Sequence, residues 1–591
     1  MKPQSIAHMF FEACDNFDKP NAAMVKIEGS YKKFSHKFFR QRVNHFGRGL
    51  MGLGVADGDH IAILAETRFE WAIADLGIVC AGGVGIPVYP TLTSDQAAWI
   101  LDNSEAKGIV VSTLEQAEKV MEAKNRLPKL GFVIMMDDGE APEGCLKMSD
   151  VETKGSREDN ENEFEKRWKS IEPEKLLTII YTSGTTGNPK GVMLTHANLV
   201  SNVLACEPFM PYTPSDIHLS HLPLSHVLER MGGYYCMIFR GVTIAYAEDI
   251  KTVADNIREV RPTVLISVPR LYEKIYAKIM AGVESGSFIK KAIFNWASKV
   301  GAKALTYFNE DQPLPGLLAH KWAIADKLVF SKVKVATGGR LKYLVSGGAP
   351  LAREIAEFFL GMGLKMLEGY GLTETSPVLT FNRPNKNKPG TVGPAIPGVE
   401  IKIADDGEIL TRGPNLMTGY FKNPEATEEV IVDGWFHTGD IGVLDEDGYL
   451  KITDRKKDLI VTSGGKNIAP QPMESALKLS GLIEQAVVIG DKRNFITALL
   501  VPPWETVNDW APARGWSKDP EALVKDEGFL KAIGEEVERQ LKGFAHYEKV
   551  KKFSVIPKLL SIEDGELTPS MKVKRRVVNE KFKALIDGMY S

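Results

Sequence analysis

Short runs of consecutive apolar residues alternate with helix-length stretches through roughly the first half of the chain. Eight such runs stand out, at 60–66, 84–90, 108–113, 132–138, 178–183, 242–248, 263–269 and 343–348. Runs that are apolar at nearly every position are typical of strands buried on both faces of a parallel sheet. The alternation therefore predicts α/β subdomains with largely parallel sheets.

The pattern changes after the eighth run, where short strand-like segments surround tight turns. Segments 399–413 and 442–455 contain the turns Asp-Asp-Gly and Glu-Asp-Gly, which favour β-hairpins. A smaller α+β pattern follows, and a chain of 591 residues is too long for one compact core. We therefore predict an α/β protein with two domains. Residues 1–453 form a large domain of α/β subdomains plus a β-rich subdomain, and residues 454–591 form a small α+β domain.

Three segments need separate interpretation. Segment 71–89 is apolar, but Asp75 and Pro87 favour a buried helix running into a strand over a membrane span. Segment 152–175 is polar and charged, which indicates a surface excursion. Segment 289–342 is predicted to be a helical insertion, with ten Lys and Arg residues against three acidic ones and interleaved aromatic residues. It either rests on a membrane surface or packs an amphipathic face on the main body, and we favour packing.

Composition narrows the class of protein further. The hydrophobic fraction of 44% and the charged fraction of 25% are those of a globular protein. The net charge of −3 gives no global positive field that would attract nucleic acid. The five scattered cysteines form no Cys-X-X-Cys pair or Cys/His cluster, and the N-terminus lacks the apolar core of a signal peptide. We expect reduced thiols in a cytoplasmic protein.

The richest candidate for chemistry is the loop at 182–191, which reads TSGTTGNPKG at the end of a predicted strand. Its glycines and small hydroxyl residues allow backbone N–H groups to approach a polyphosphate closely, and Lys190 adds a positive charge. The loop differs from the common P-loop pattern, because Asn188 and Pro189 separate Gly187 from the lysine. The sequence therefore predicts a phosphate-binding loop of another kind.

This loop is the first of eight blocks that occur in a characteristic order. They are TSGTTGNPKG (182–191), HLPLSHVLER (221–230), SGGAPL (346–351), GYGLTET (369–375), GEILTRGPNLMTGY (407–420), GWFHTGD (434–440), DRKKDLIVTSGGKNIAPQPME (454–474) and LTPSMKVKR (567–575). In these blocks the sequence resembles the adenylate-forming enzymes, which include acyl-CoA synthetases, luciferases and peptide-synthetase adenylation domains. The residues of several of these blocks are most similar to those of long-chain fatty acyl-CoA synthetases.

The resemblance implies a ligase that uses ATP and CoA as co-substrates and Mg²⁺ as cofactor. A fatty acid and ATP would form acyl-AMP and pyrophosphate, and CoA would then take the acyl group and release AMP. Alternatives are a ligase that delivers the acyl group to a carrier protein, a luciferase-like oxygenase, and a catalytically silent lipid-binding protein. The implied partners are a long-chain fatty acid, ATP and CoA, with no nucleic acid. The protein would be a monomer or homodimer in the cytoplasm, with peripheral contact of 289–342 to the inner face of a membrane as an open option.

The resemblance also assigns roles to single residues. The β- and γ-phosphates would be held by Thr182, Ser183, Gly184, Thr185, Thr186 and Lys190. Glu374 would bind Mg²⁺ together with Thr182, and Thr373 would meet the α-phosphate. The adenine would lie along Gly347, Gly348 and Ala349 with Tyr370 stacked on the ring, and the ribose hydroxyls would bind Asp440 and Arg455.

The remaining roles concern the acyl group, CoA and domain movement. His226 would lie beside the reacting carboxylate, and the position four residues later, where some fatty-acid members carry a gating tryptophan, is Arg230. Lys572 would bridge the carboxylate and the α-phosphate, with Lys574 as its rival. The other implied residues are the hinge Asp454, about which the C-terminal domain would rotate, and the CoA-binding Gly464, Gly465 and Lys466.

Overall fold

The computed structural model describes residues 3–182, 189–568 and 571–591. Within these residues, two eight-stranded sheets dominate the N-terminal part. In spatial order the first contains Gly419–Tyr420, Lys190–Thr195, Leu176–Thr182, Val84–Val88, His60–Leu64, Gly108–Val111, Phe132–Met135 and Cys145–Lys147. The second contains Val378–Phe381, Lys365–Gly371, Tyr343–Ser346, Val264–Ser267, Ile217–Ser220, Thr243–Tyr246, Ala23–Ile27 and Ser30–Phe34.

The central strands of both sheets pair in parallel; antiparallel strands lie at both edges of the second sheet and at one edge of the first, whose other edge strand, Cys145–Lys147, pairs in parallel. Each of the eight predicted apolar runs coincides with one of these strands, so the α/β prediction is confirmed. Parallel strands need crossover connections, and helices supply most of them. Because the helices cover the sheets, the central parallel strands are buried along nearly their whole length.

The helices alternate with the strands along the N-terminal part. The α-helices are Ile6–Phe17, His36–Gly52, Phe69–Cys80, Ser94–Asn103, Leu114–Ala123, Met148–Arg157, Glu161–Lys169, His196–Cys206, Cys236–Phe239, Val253–Val260, Pro269–Glu284, Phe288–Asn309, Gly316–Ala325, Ser331–Ala336, Arg353–Gly361 and Pro424–Val430. Shorter 3₁₀ segments are Lys124–Arg126, Glu207–Phe209 and Thr373–Thr375, and π-helical turns are Glu229–Tyr235 and Asp326–Phe330.

The prediction of a surface excursion at 152–175 is wrong. Most of this segment belongs to two helices that pack on the helix His36–Gly52 and its neighbours. Glu152 is buried and accepts two hydrogen bonds from the Arg42 guanidinium, and Phe164 joins the main hydrophobic core. The high polar content conceals an amphipathic pattern, because one apolar residue per turn is enough to bury a helix face.

The apolar segment 71–89 forms the buried helix Phe69–Cys80 and then the strand Val84–Val88, as predicted. Within the described residues, no helix is both long and apolar enough to cross a bilayer. Segment 289–342 is helical, also as predicted. One of its faces packs on the main body, where Gly301 crosses Gly361 so closely that a Cβ on Gly301 would lie 3.0 Å from the Gly361 carbonyl oxygen.

A third sheet supports the β-rich prediction. Its strands are Glu400–Ile403, Glu408–Arg412, Trp435–Leu444, Ile431–Val432 and Leu450–Arg455. The two predicted hairpins are present, since the first strand pairs antiparallel with the second and the third with the last. The register of the second hairpin sets Asp440 opposite Arg455.

The C-terminal residues build a hydrophobic core of their own, which runs from Ile460 to Met589. Its strands are Ile460–Val461, Asn467–Ile468, Gln485–Ile489, Ile496–Val501 and Val550–Val555. Its helices are Pro470–Leu477, Val507–Trp510, Pro520–Leu523, Glu527–Gln540, Arg575–Lys581 and Lys583–Tyr590, with 3₁₀ turns at Trp504–Thr506 and Pro512–Arg514. The fold class is therefore confirmed as a large N-terminal α/β part with a smaller α+β part, while the boundary at 453/454 stays a prediction.

Candidate active site

Several predicted site residues lie at the carboxyl ends of neighbouring parallel strands, where open α/β sheets bind ligands. Gly347, Gly348 and Ala349 directly follow the strand Tyr343–Ser346. Gly348 has a φ of 78°, a conformation that favours glycine, so the chain turns there without strain. The Gly347 N–H donates to the Ser267 carbonyl oxygen, which fixes the start of this loop against the adjacent strand.

A chain of polar contacts joins the next strand to the third sheet. The Tyr370 hydroxyl donates to Oδ2 of Asp440 at 2.7 Å, and Nε of Arg455 lies 3.3 Å from Oδ1 of the same carboxylate. Asp440 is buried, and burial raises the pKa of its carboxyl while Arg455 and the Tyr370 hydrogen bond oppose that rise. The structure thus brings together three of the six residues predicted for adenine and ribose.

A second group forms around Glu374, which lies in the 3₁₀ turn that packs beside the strand Lys190–Thr195. Its Oε1 accepts a hydrogen bond of 2.9 Å from the Tyr420 hydroxyl, and Nζ of Lys190 lies 4.9 Å from the centre of the Tyr420 ring. Thr182 pairs with Lys190 across the two strands, and its hydroxyl donates to the Lys190 carbonyl oxygen at 3.4 Å. Thr373 lies in the same turn as Glu374.

Tyr420 is a site residue that the sequence reasoning missed. It is the last residue of the block 407–420, but its local sequence does not distinguish it from a tyrosine of the hydrophobic core. Its strand Gly419–Tyr420 joins the edge of the first sheet next to Lys190–Thr195, a pairing across more than 220 residues. That long-range pairing carries no local signal, although the block's place in the ordered series could have singled Tyr420 out.

The residues near Glu374 fit the implied cofactor Mg²⁺ by their chemistry. Mg²⁺ prefers oxygen donors and keeps most of its ligands as water and substrate phosphates. Among the residues that the structure describes, no cluster of three or more His, Cys, Asp or Glu side chains is suited to hold a metal ion. One carboxylate from Glu374 and one hydroxyl from Thr182 are oxygen donors of the kind that a metal held mainly by the nucleotide would need.

His226 lies just before the π-helical turn Glu229–Tyr235. Its Nδ1 accepts a hydrogen bond of 3.2 Å from the Leu228 N–H, so Nε2 carries the ring proton and can donate. Burial lowers the pKa of His226 to about 4, and the charge of Lys572 adds to this effect. The imidazole is therefore neutral at neutral pH and acts as a hydrogen-bond donor.

Lys572 belongs to the C-terminal part, and its charge acts on residues of the N-terminal part that include His226 and Asp440. Burial lowers the pKa of its ammonium to about 8, Arg455 adds to this, and Asp440 and Glu374 oppose it. The rival Lys574 donates its backbone N–H to Glu566, and its charge does not contribute to the pKa shifts of Asp440 or His226. The charge of Lys572 acts on the pKa values of Asp440 and His226, so Lys572 lies near the predicted nucleotide residues, and its choice over Lys574 stays a prediction.

The turn that presents Lys572 is strained at Met571, which stands where the resemblance leads one to expect a glycine. Met571 has a φ of 63°, in the left-handed region that glycine adopts at no cost. The turn is held by two hydrogen bonds, from the Thr568 N–H to the Lys572 carbonyl oxygen at 2.8 Å and from the Lys572 N–H to the Thr568 hydroxyl at 3.0 Å. These bonds hold the turn at a cost of about 1 kcal/mol at the methionine.

Other predicted residues lie elsewhere or outside the described part. Gly464, Gly465 and Lys466 form an exposed turn in the C-terminal part, where Nζ of Lys466 lies 5.8 Å from the Tyr547 ring centre. The hinge candidate Asp454 is buried, accepts from the Arg455 and Gln471 N–H groups, and has its pKa raised to about 6 by burial. The predicted phosphate-loop residues outside the described residues are Ser183, Gly184, Thr185 and Thr186.

Arg230, at the position of the gating tryptophan, is 2% exposed and belongs to a buried ion pair. Its Nη2 donates to Oδ1 of Asp75, and its Nη1 donates to the Thr178 hydroxyl at 2.7 Å. The Tyr235 hydroxyl donates to the second oxygen of Asp75 at 2.7 Å. All three guanidinium nitrogens of Arg230 therefore donate to buried partners, which hold the side chain in the core and do not suit a residue that moves to open a tunnel.

Comparison with known proteins places these features in context. The family described as "AMP-binding enzyme" matches residues 10–421, and the "AMP-binding enzyme C-terminal domain" matches residues 457–591. The "Long-chain-fatty-acid--CoA ligase FadD15" of Mycobacterium bovis is 37% identical over 599 aligned positions, 99% of this chain and 97% of the relative. The human "Long-chain-fatty-acid--CoA ligase 1" is 33% identical over 96% of this chain and 83% of its own. The crystal structure of the anthranilate CoA ligase AuaEII with anthranoyl-AMP shares the fold, with a TM-score of 0.73, 18% identity and 99% coverage of both chains.

Proposed function

Because the chain belongs to the AMP-binding enzyme family, we propose that it is a long-chain fatty acid:CoA ligase that forms AMP. It is an ATP-dependent acid–thiol ligase. The observation that supports the proposal at the level of residues is that the charges of Asp440 and Glu374, from two other parts of the fold, act on the Lys572 ammonium. A cation beside two carboxylates and a neutral histidine suits a reaction in which negative groups must be brought together.

The first step joins two anions, the fatty carboxylate and the α-phosphate of ATP. The carboxylate oxygen attacks phosphorus, and pyrophosphate leaves with the electron pair of the broken P–O bond. The Lys572 ammonium would neutralise the charge shared by carboxylate and phosphate, and His226 would donate Nε2–H to a carboxylate oxygen. Asp440 and Tyr370 would orient the nucleoside. Mg²⁺, held by Glu374 and Thr182, would supply further charge neutralisation at the phosphates.

In the second step the CoA thiolate attacks the acyl carbonyl carbon, and AMP leaves. The mixed anhydride is already activated, because AMP is a far better leaving group than an oxide ion. The exposed turn of Gly464, Gly465 and Lys466 is proposed to bind CoA. It supplies two small residues and a cation, which suit a narrow passage and a phosphate-bearing ligand.

The test measures CoA-dependent AMP and pyrophosphate formation with Mg²⁺–ATP against a series of straight-chain acids from acetate to long chains. Medium and long chains should be preferred. Each buried methylene contributes about 0.8 kcal/mol, so four of them give about 3 kcal/mol, or roughly a hundredfold in kcat/KM. Reactions that lack acid, ATP or Mg²⁺ serve as controls and should release no pyrophosphate.

Three outcomes would contradict the proposal. ADP formed in place of AMP would exclude adenylation. Equal kcat/KM for acetate and palmitate would exclude an apolar acyl site. Acyl-AMP that accumulates and is not consumed by CoA would favour the alternative ligase that serves a carrier protein.

We further propose that the helical segment 289–342 contacts an anionic membrane surface. The segment exposes large apolar side chains, with Ile289 68% exposed, Leu317 71% and Val335 69%. Ten basic residues against three acidic ones complement anionic headgroups. Location in the cytoplasm and a monomeric or dimeric state remain predictions, which fractionation and light scattering can measure.

Vesicle flotation tests this contact with phosphatidylcholine vesicles that contain or lack phosphatidylglycerol. Binding should require the anionic lipid and weaken with salt. The variant Leu317→Asn/Ile324→Asn should bind at least about tenfold more weakly, because it removes two side chains whose burial contributes about 1.5–3 kcal/mol each. Val443→Asn, which alters an exposed apolar residue of the third sheet, is the matched control. Equal binding to both kinds of vesicle would refute the proposal.

A further inference from the structure

The helix Pro269–Glu284 of the N-terminal part contacts the C-terminal part through ion pairs; Lys274 makes two long ones at 3.8 Å, and the two short ones are of opposite polarity. Arg270 Nη2 lies 2.9 Å from Oε1 of Glu484, and Oε1 of Glu273 lies 3.1 Å from Nζ of Lys478. The helix thus presents a cation and an anion one turn apart. The C-terminal part places an opposite charge against each, Glu484 against Arg270 and Lys478 against Glu273. Such a reciprocal pattern fixes the register of a contact as well as its strength.

These pairs differ from ordinary surface ion pairs in their burial. The Glu273 and Glu484 side chains are only 12% and 13% exposed, whereas the exposed pair of Arg126 with Asp95 has values of 58% and 81%. Leu479, next to Lys478, packs on the hydrophobic cluster of the N-terminal part that contains Tyr272. The contact is therefore an apolar side chain flanked by two partly desolvated ion pairs.

On the N-terminal side, this helix is tied to the predicted adenine loop. Tyr272 is fully buried, and its hydroxyl lies 3.0 Å from the Leu265 and 2.8 Å from the Val345 carbonyl oxygens. Val345 belongs to the strand that runs directly into Gly347. The helix and the loop are thus parts of one rigid unit.

On the C-terminal side, the contact is tied to Lys572. Lys478 caps the helix Pro470–Leu477, and one turn earlier Glu474 Oε1 accepts 2.7 Å and 2.8 Å hydrogen bonds from Arg575 Nη2 and the Val488 N–H. Arg575 follows Lys572 by three residues. Polar contacts therefore lead from the Lys478 ion pair through Glu474 to Arg575, and three residues of chain connect Arg575 to Lys572.

We propose that Arg270, Glu273, Lys478, Leu479 and Glu484, here called the docking contact, position Lys572 over the nucleotide site for the first half-reaction. The inference rests on the proposed function, because it assigns these residues to acyl-AMP formation. They touch no reacting atom and act through the placement of Lys572. In transfer from preformed acyl-AMP to CoA, the thiolate attacks the neutral carbonyl carbon of an already activated anhydride, so this step should not depend on the docking contact.

The test uses the pair of Glu273 and Lys478, whose charges can be exchanged. Glu273→Lys and Lys478→Glu each set like charges against each other and should lower kcat for acyl-AMP formation roughly tenfold or more. KM for ATP should change little, because neither residue touches the nucleotide. The exchanged variant Glu273→Lys/Lys478→Glu should recover most of the rate, and Glu357→Lys, within an ion pair of the N-terminal part alone, is the control.

Each variant is also supplied with acyl-AMP and CoA, and the thioester formed is measured. The proposal expects this rate to stay within about twofold of the wild type. Equal loss in both steps, or no recovery in the exchanged variant, would overturn it. Failure of the proposed function would show in the wild type, which would then form no acyl-AMP, whereas failure of this inference shows only in variants of an active wild type.

Discussion

Replacing Lys572 with alanine should slow acyl-AMP formation by about 10²–10³ and leave acyl transfer from acyl-AMP to CoA nearly unchanged. A single preorganised donor to developing negative charge contributes about 2.7–4 kcal/mol to a transition state. The expected size of the effect follows from the partly buried position of the ammonium, on which the charges of Asp440 and Glu374 act. The second step starts from an activated anhydride and lacks the repulsion that the lysine relieves.

The measurement compares pyrophosphate release from free acid with thioester formation from synthetic acyl-AMP. Lys574→Ala is the matched control. It removes a lysine two residues away that is not among the charges that change the pKa of Asp440 or of His226. A large loss in the control with little loss in Lys572→Ala would transfer the role to Lys574. Equal damage to both steps in Lys572→Ala would contradict a role confined to adenylation.

The same lysine predicts a pH dependence of the first step. The pKa of Lys572 is lowered to about 8, so the ammonium is present below that pH and is lost as the pH rises through it. In the wild type, kcat/KM for acyl-AMP formation, which reports the free enzyme, should therefore fall above about pH 8. Lys572→Arg retains its charge at higher pH and should lose this decline, although its lower rate reflects a different geometry.

Replacing Arg230 with methionine should lower the free energy of unfolding of the N-terminal part by about 3–5 kcal/mol. Removing one partner of a buried pair leaves the other charge without compensation. Here Asp75 would keep the Tyr235 hydrogen bond but lose the guanidinium, and the Thr178 hydroxyl would lose its donor. Denaturant unfolding, with the midpoint read at constant slope, measures the change.

Two further variants separate this mechanism from a simple packing defect. Asp75→Leu in the Arg230→Met background removes the orphaned charge and should recover most of the lost stability, since hydrophobic replacement of a whole buried pair is often neutral. Arg126→Met disrupts an exposed pair with Asp95 and should cost less than about 1 kcal/mol. No recovery in the double variant would mean that volume, rather than charge, holds this region together.

The strands and the site could be predicted to different degrees. All eight apolar runs coincide with strands, because burial on both faces leaves a signal in every residue of a short segment. The polar segment 152–175 misled the prediction, because a helix can be buried along one face while most of its residues stay polar. The anchoring of Glu152 by Arg42 depends on a partner 110 residues away.

For the site, the ordered blocks pointed to Glu374, Asp440, Arg455 and Lys572 as candidates through a resemblance, not through any local physical pattern. Their charges, taken one at a time, are those of ordinary surface residues. Nothing in the local sequence indicates that Tyr420 bonds Glu374, or that burial lowers the pKa of Lys572 to about 8. These properties follow from which strand ends and turns come together.

The sequence by itself determined the class of fold, the order of its elements and the chemical inventory of the site, because periodicity and motif spacing are local properties of the chain. The tertiary structure decided that Tyr420 bonds Glu374, that Arg230 is a bound core residue, and that a charged helix face contacts the C-terminal part. Each of these depends on contacts between residues far apart in the chain. Their energies come from desolvation and charge pairing, which exist only once the chain has folded.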